Sequence, residues 1–229
     1  MNFVRQYKEI SIYRKKLDII TNNIHYPIAT ILCVIISSTS ITPNMITLIA
    51  VICELLAVGL IYSDLVEYSV IIVIFLQLGW IFDLMDGMMA RYKKMGYYHP
   101  SQPSNKGYYL DAISDHVIKF MILGALTYQY SLQNVNGWLL GLIAIIIHGI
   151  TQTEHTLRKM ILKSRTKSDQ RPNLECTIMD HIALIMNNIY LFYLVFITIN
   201  RIDLLLITYA GAESILFIKR VFQFWKSEL

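Results

Sequence analysis

Four aspartates stand at helical spacings inside one of the most apolar parts of the chain. Asp83 and Asp86 are three residues apart, and Asp111 and Asp115 are four residues apart. On an α-helix, each of these pairs projects from one face. Carboxylate oxygens without histidine or cysteine suit hard divalent cations, above all Mg²⁺ or Mn²⁺, with Ca²⁺ as a further option. Four carboxylates can hold two such ions, and two-ion sites commonly clamp a phosphoryl group.

Small residues and an arginine share the faces that carry the aspartates. Gly87, Ala90 and Arg91 fall with the first aspartate pair on an arc of about 140°, and Gly107 falls with the second pair on an arc of about 80°. Glycine and alanine leave room for a bulky ligand beside the helix, and the planar guanidinium of arginine suits phosphate. The two faces therefore predict a pocket for a phosphorylated ligand.

The composition indicates that the helices which position these residues lie in a membrane. The chain is 55% hydrophobic and only 16% charged, whereas soluble domains carry about a quarter charged residues. Residues 24–41 are apolar but too short for a full span, which is typical of an interfacial or re-entrant helix. The predicted spans are 43–63, 68–91, 108–132, 137–162, 180–199 and 202–224.

We therefore expect an all-α integral membrane protein, with six transmembrane helices preceded by an N-terminal interfacial helix. Residues 1–42 would form a cytoplasmic basic arm with the interfacial helix, and residues 43–229 would form the six-helix catalytic domain. Two antiparallel helices joined by one loop pack as neighbours. The second and third spans should therefore bring the four aspartates together at one end of the bundle.

The distribution of basic residues orients the predicted bundle. Of the 20 Lys and Arg, all but Lys119 and Arg201 lie in segments that this topology places on one side of the membrane. Basic residues accumulate on the cytoplasmic side, so both termini and the aspartate site should be cytoplasmic. No organelle address is evident, which favours the plasma membrane. The expected partners are membrane lipids and not nucleic acid.

The motif around the aspartates resembles the signature of a known enzyme family. The pattern is Asp83-x2-Asp86-Gly87-x2-Ala90-Arg91-xn-Gly107-x3-Asp111-x3-Asp115. It resembles that of the CDP-alcohol phosphotransferases, also called CDP-alcohol phosphatidyltransferases, which are membrane enzymes with six spans. The stretch Thr42-Pro43-Asn44-x2-Thr47 is similar to the start of the first span in that family. Residues 92–106 form a longer connection than the family usually has, either as a cover for the substrate entrance or as a passive insertion.

The resemblance implies a reaction in lipid metabolism and the residues that perform it. Two divalent cations, Mg²⁺ or Mn²⁺, would bind to Asp83, Asp86, Asp111 and Asp115. Asp115 would also be the catalytic base that removes the proton of an acceptor alcohol, which attacks a CDP-linked donor and releases CMP. CDP-diacylglycerol is one candidate for that donor. The implied nucleotide-binding residues are Gly87, Ala90, Arg91, Gly107, Asn44 and Thr47. Similar family members are often dimers, which makes a homodimer one option and leaves the oligomeric state open.

Polar residues also repeat along the predicted fourth span. His148, Gln152, His155 and Lys159 recur at helical spacing, and Arg158 lies on the adjoining stripe. They form either an acceptor pocket with phosphate-binding cations or a set of hydrogen-bonded core histidines with cations at the membrane boundary. The cationic end of the span favours an anionic acceptor. Glycerol 3-phosphate, inositol or its phosphate, serine and a lipid alcohol all remain open.

Two other functions would also use clustered aspartates. A membrane prenyltransferase-like enzyme holds Mg²⁺-diphosphate with paired aspartate motifs, but those motifs lie far apart in a longer chain, whereas Asp86 and Asp111 are 25 positions apart. A non-enzymatic carrier could bind transported cations, but that function leaves Gly87, Arg91 and Gly107 unexplained. Binding of CDP or CMP that depends on a divalent cation would support the CDP-alcohol phosphotransferase and exclude both of these alternatives. Lys119, one turn beyond Asp115, could pair with that aspartate or with a donor phosphate, and its position favours a buried structural pair.

Overall fold

The computed structural model of the chain describes residues 3–15, 17–101, 103–165 and 188–228. Within these ranges the regular structure is entirely helical, which confirms the all-α prediction. The helices are α1 (Phe3–Ser11), α2 (Tyr26–Ile36), α3 (Pro43–Ser63), α4 (Ser69–Tyr92), α5 (Lys106–Gln133), α6 (Gly137–Arg165), α7 (Ile189–Thr198) and α8 (Ile202–Glu228). A π-helical turn, Thr21–His25, leads into α2, and a 3₁₀ turn, Gly96–Tyr98, lies between α4 and α5.

Helices α3, α4 and α6 are long and apolar enough to cross a membrane, by length and composition. They indicate an integral membrane protein. Helices α5 and α8 coincide closely with the predicted third and sixth spans. Charged residues interrupt the apolar sequence of both helices. Of the predicted fifth span, residues 180–187 lie outside the described residues, and α7 accounts for the rest. The number of six spans therefore stays a prediction.

The chain divides into two compact units, Met1–Ala125 and Leu126–Leu229. In the first unit, α4 packs along α3 and also contacts α1 and α2. In the second unit, α8 packs against α6 and α7. The segment 24–41 contains the end of the π-helical turn and the short helix α2, as expected for a segment that does not span. Because α1 and α2 pack on α4, the predicted basic arm is part of the unit that carries the aspartates.

Local sequence explains why α3 begins where it does. Thr42 caps the helix, with its side-chain oxygen accepting from the Met45 N–H, and Pro43 occupies the first turn, where its missing N–H has no cost. Across the interface with α4, a Cβ on Gly79 would lie 2.5 Å from Cγ of Glu54. The glycine is therefore required for the side chain of Glu54 to pass between the two helices.

The apolar side of α4 anchors it in the first unit. Met85, Met88 and Met89 are buried with Cys33 of α2 and Ile46 of α3 in one core cluster. Burying these side chains on one face fixes the rotation of α4 about its axis. The opposite face, which carries the aspartates, is thereby directed away from the core cluster.

Candidate active site

Three of the four aspartates converge in the structure. Asp83 of α4 and Asp111 and Asp115 of α5 each present a carboxylate oxygen, and these three atoms lie within 4.8 Å of one another. Oxygens bound to one Mg²⁺ at about 2.1 Å are at most about 4.2 Å apart, so small side-chain rotations bring this set into range. The three carboxylates, hereafter the aspartate triad, therefore suit a hard divalent cation by donor chemistry and lie close to the spacing that one ion requires.

Asp86 lies beside the triad and is held by a neighbouring helix. It is buried, and its Oδ2 accepts a hydrogen bond of 2.5 Å from the Thr47 hydroxyl of α3. It is also close enough to Asp111 for the two charges to interact. Its role as a metal ligand stays a prediction. Thr47, which the family resemblance assigns to the nucleotide pocket, makes its closest described contact with this carboxylate.

Lys119 pairs with Asp115, as the sequence predicts. Its Nζ lies 3.4 Å from Oδ2 of Asp115, one helical turn earlier on α5. Its charge also acts on Asp83 and on Glu54 of α3. The triad is therefore in contact with a resident positive charge.

Arg91 lies over Gly87 and is fixed by the N-terminal segment. A Cβ on Gly87 would be 3.4 Å from Nη1 of Arg91, so the guanidinium covers the glycine face of α4. Its Nε donates to the Tyr13 carbonyl at 3.0 Å. With Nε held by backbone, the Nη groups face the part of α4 that carries the small residues. Ala90 is half-buried in the next turn.

The start of α5 approaches the start of α3 at Gly107. A Cβ at this position would lie only 2.8 Å from Oδ1 of Asn44. The Thr-Pro-Asn start of α3 and the second glycine of the motif are thus brought together, although they are far apart in sequence. The structure therefore places Asn44 and Gly107 side by side, as a shared pocket requires, while their contact with a nucleotide stays a prediction.

The N-terminal segment contributes a residue that the motif does not include. Lys15 is close enough to Asp111 for its charge to act on that carboxylate. Its backbone N–H donates to the Tyr26 hydroxyl at 3.0 Å, which fixes the segment against α2. The sequence shows a run of basic residues here, but only as a topology signal. The proximity of Lys15 to Asp111 depends on the irregular residues that follow α1, which have no periodic pattern to read.

The connection 92–106 projects outward where it is described. Residues 96–101 are exposed, and the Ser104 N–H bonds to the Gly96 carbonyl at 3.0 Å, closing a compact loop after the 3₁₀ turn. Gly96 has a φ of +60°, which favours glycine. This geometry leaves both interpretations of the longer connection open.

The polar stripe of the predicted acceptor pocket lies on α6, in the second unit. His148 is buried, and its Nδ1 is 2.6 Å from the Tyr209 hydroxyl, which donates to Glu213 at 3.2 Å. This network matches the hydrogen-bonded core histidine that was the alternative to a pocket. Gln152 and His155 are half-buried.

Arg158 is differently placed, at an apolar cavity. Its Nε lies 3.4 Å from Glu154 Oε1, and its Nη2 lies 3.5 Å from Nδ1 of His155. Arg158 and Glu154 line a cavity of about 590 Å³ between α6 and α8, whose other walls are mostly aliphatic and aromatic. The side chain of Lys159 lies outside the described residues. The pairing with Glu154 neutralises Arg158, which weakens the argument for an anionic acceptor.

The chain matches the model of a known protein family. The family model for ceramide phosphoethanolamine synthase matches residues 7–171 of this chain, which is more than half of its length. The matched range contains all four aspartates and the part of the N-terminal segment that carries Lys15. No curated protein matches the chain.

Proposed function

The chain belongs to the ceramide phosphoethanolamine synthase family, and from that premise we propose that it transfers phosphoethanolamine from CDP-ethanolamine to a lipid alcohol such as ceramide, with release of CMP. At the coarser level the chain is a membrane phosphotransferase that makes phosphodiester lipids. The observation that carries the proposal is the aspartate triad, with its oxygens within 4.8 Å of one another.

The chemistry of the triad supports a diphosphate donor. CDP-ethanolamine presents two linked phosphates, which divalent cations held by carboxylates can bind together. Phosphatidylethanolamine, the other plausible source of the same headgroup, presents one phosphate. The motif resemblance to the CDP-alcohol phosphotransferases points the same way, since it includes the small residues and Arg91 beside the aspartates.

Each residue of the site has a separate role in this proposal. The four aspartates would hold two Mg²⁺ or Mn²⁺ ions, which would offset the repulsion between the carboxylates and the diphosphate. Asp115 accepts the proton of the lipid hydroxyl, and the hydroxyl oxygen forms a bond to the phosphorus that carries ethanolamine. The bond from this phosphorus to the bridging oxygen breaks, and that oxygen leaves with CMP. Arg91, lying over Gly87, binds a donor phosphate.

We propose a lipid alcohol as the acceptor, instead of the anionic acceptor that the basic residues at the end of the fourth span favour. The proposal takes the acceptor from the name of the family. It agrees with the pairing of Arg158 and Glu154, which offsets the charge of Arg158 on α6. The site would open to the cytoplasm, where a water-soluble nucleotide donor is accessible, in keeping with the distribution of basic residues.

The test is CMP release by detergent-purified protein in mixed micelles with Mg²⁺ or Mn²⁺. Ceramide with CDP-ethanolamine is compared with ceramide plus phosphatidylethanolamine, and with CDP-diacylglycerol plus small alcohols. Asp115→Asn should abolish the reaction. Asp64→Asn is a matched control, because Oδ1 of Asp64 accepts hydrogen bonds from the N–H groups of Val66 and Glu67, which an amide oxygen can also do.

We expect metal-dependent CMP release with ceramide and CDP-ethanolamine, lost in Asp115→Asn and kept in Asp64→Asn. CMP release only from CDP-diacylglycerol would keep the reaction class and overturn the donor and acceptor. Product formation only from phosphatidylethanolamine, without CMP, would overturn the nucleotide mechanism.

A further inference from the structure

We propose that Arg14 positions Arg91, the residue that binds a donor phosphate in the proposed function, by fixing the backbone carbonyl of Tyr13. The inference rests on the proposed function for the role of Arg91. It concerns a residue of the N-terminal segment that lies outside the motif resembling the CDP-alcohol phosphotransferases. Arg14 acts through Tyr13 and Arg91, so it is a positioning residue and not a catalytic one.

The side chain of Arg91 is folded back along α4. Arg91 lies in the last turn of the helix, and its Nη1 and Nη2 would be 3.4 Å and 3.5 Å from a Cβ on Gly87, four residues earlier. A long side chain on a helix leans toward the preceding turn, but the carbonyls at the helix C-terminus attract its charged end. The guanidinium therefore needs a partner that holds it over the face carrying Asp83 and Asp86.

The carbonyl of Tyr13 is this partner. Nε of Arg91 donates to it at 3.0 Å, and the rings of Tyr13 and Tyr92 meet edge to face with their centroids 6.1 Å apart. A guanidinium has five N–H donors, so a bond at Nε leaves the Nη groups for a phosphate. Because the acceptor is a backbone carbonyl, its place depends on what holds residues 13–15.

Arg14 holds this segment against two helices. Its Nε donates to Oγ1 of Thr30 on α2 at 2.9 Å, and its Nη2 donates to the Tyr7 hydroxyl of α1 at 2.6 Å. Arg14 is half-buried and Thr30 is buried, and hydrogen bonds from a charged donor are among the strong ones. The next residue is also fixed, since the Lys15 N–H donates to the Tyr26 hydroxyl at 3.0 Å.

Residues 13–15 have no regular structure of their own to keep them in place. They follow the end of α1, and the backbone bonds there are turn bonds, from the Tyr13 N–H to the Ile10 carbonyl and from the Arg14 N–H to the Ser11 carbonyl. Arg14 supplies two side-chain bonds to other elements, so its loss frees the Tyr13 carbonyl to move. A misplacement of about 1 Å in a group that positions substrate can cost a factor of about 100.

The test compares the kinetics of Arg14→Met with those of Arg5→Met. Arg14→Met should raise the KM for CDP-ethanolamine at least about tenfold, because the donor phosphate loses contact with Arg91. The kcat and the KM for ceramide should stay within about twofold of the wild type, since the lost contact is one of binding. Arg5→Met is the matched control, because Arg5 is exposed on α1 and pairs with Glu9. A fall in kcat with an unchanged donor KM would overturn the inference.

Two milder variants separate positioning from charge and from folding. Tyr7→Phe and Thr30→Val each remove one acceptor of Arg14 and keep its charge. The double variant Tyr7→Phe/Thr30→Val should therefore also raise the donor KM severalfold, and an unchanged donor KM would count against the role of Arg14. In an Arg91→Met background, Arg14→Met should add nothing to the donor KM, because both act through one contact. Additive increases would contradict the inference.

The position of Arg91 can also be measured without turnover. Phenylglyoxal modifies guanidinium groups, and its rate of reaction at Arg91 is followed by mass spectrometry of peptides. This rate should rise severalfold in Arg14→Met and stay unchanged in Arg5→Met. Unchanged labelling of Arg91 in Arg14→Met would refute the positioning. If labelling rises but no substrate pair releases CMP, the positioning of Arg91 stands and the proposed function alone falls.

Discussion

Thr47 offers the sharpest test of how the neighbouring helix organises the aspartates. The Thr47 hydroxyl is buried and donates to Oδ2 of Asp86 at 2.5 Å, and it also lies 3.2 Å from the Pro43 carbonyl of its own helix. Thr47→Val keeps the shape of the side chain and removes the donor. The neutral Thr47 hydroxyl can orient the Asp86 carboxylate without adding a positive charge that would repel a bound cation.

The expected magnitude follows from the type of bond. A hydrogen bond to a charged group contributes about 1.5–3 kcal/mol, which corresponds to a factor of about 10–150 in an equilibrium constant. Loss of an outer hydrogen-bond partner of a metal ligand typically weakens metal binding about 10- to 100-fold. We therefore expect Thr47→Val to raise the half-saturating Mg²⁺ concentration by about 10- to 100-fold.

The assay is CMP release against Mg²⁺ concentration at saturating donor and acceptor. Thr198→Val is the matched control. The Thr198 hydroxyl contacts the Leu194 carbonyl four residues earlier, just as the Thr47 hydroxyl contacts the Pro43 carbonyl. Thr198 is exposed, however, and lies on a different helix from the aspartates. The control curve should coincide with that of the wild type. A Thr47→Val curve that also coincides would refute the role of Asp86 in holding a cation and the assignment of Thr47 as its support.

Three further predictions address the pocket, a buried thiol and the metal. Gly107→Ala should lower activity at least about tenfold with little loss of stability, because the new Cβ displaces only the exposed Asn44 side chain, 2.8 Å away; equal losses of activity and stability would contradict it. Burial, and secondarily the charge of Asp86, raises the pKa of Cys33 to about 12. In a variant with Cys33 as its only cysteine, maleimide labelling at pH 7.5 should stay low until the protein is unfolded, since the thiol stays protonated below that pKa; rapid labelling of the folded protein would contradict the burial. Chelation with EDTA should abolish CMP release and excess Mg²⁺ or Mn²⁺ should restore it, whereas turnover that persists in EDTA would exclude the metal site.

The convergence of the triad is readable from sequence because it depends on local periodicity. Asp83 on α4, and Asp111 and Asp115 on α5, lie on defined faces, and a single connection makes the two helices neighbours. The same reasoning finds Lys119, one turn after Asp115. Helix faces and short-range spacings are therefore enough to predict the centre of the site.

The contacts between α3 and α4 are not readable in this way. The bond from Thr47 to Asp86 and the passage of Glu54 over Gly79 depend on the axial register of two packed helices. A single sequence fixes the face of each helix, but side-chain packing fixes the register.

The stripe on α6 shows the other limit of periodicity. Spacing places His148 and Arg158 near one another on a helical projection, yet His148 bonds to Tyr209 in the interior and Arg158 pairs with Glu154 at a cavity. Periodicity shows that a polar stripe exists and does not show which helix covers each part of it. The charged residues of α5 and α8 similarly make span counting from hydropathy depend on whether those charges face protein or lipid.

The most direct test of the proposed reaction follows an isotope label from donor to product. CDP-ethanolamine labelled in its ethanolamine carbons is incubated with ceramide, Mg²⁺ and the purified protein, and the lipid product is analysed by mass spectrometry. The proposal predicts labelled ceramide phosphoethanolamine and one CMP per product molecule with wild type and Asp64→Asn, and neither with Asp115→Asn. Labelled product that persists in Asp115→Asn, or its absence with the wild-type protein, would contradict the proposed reaction at this site.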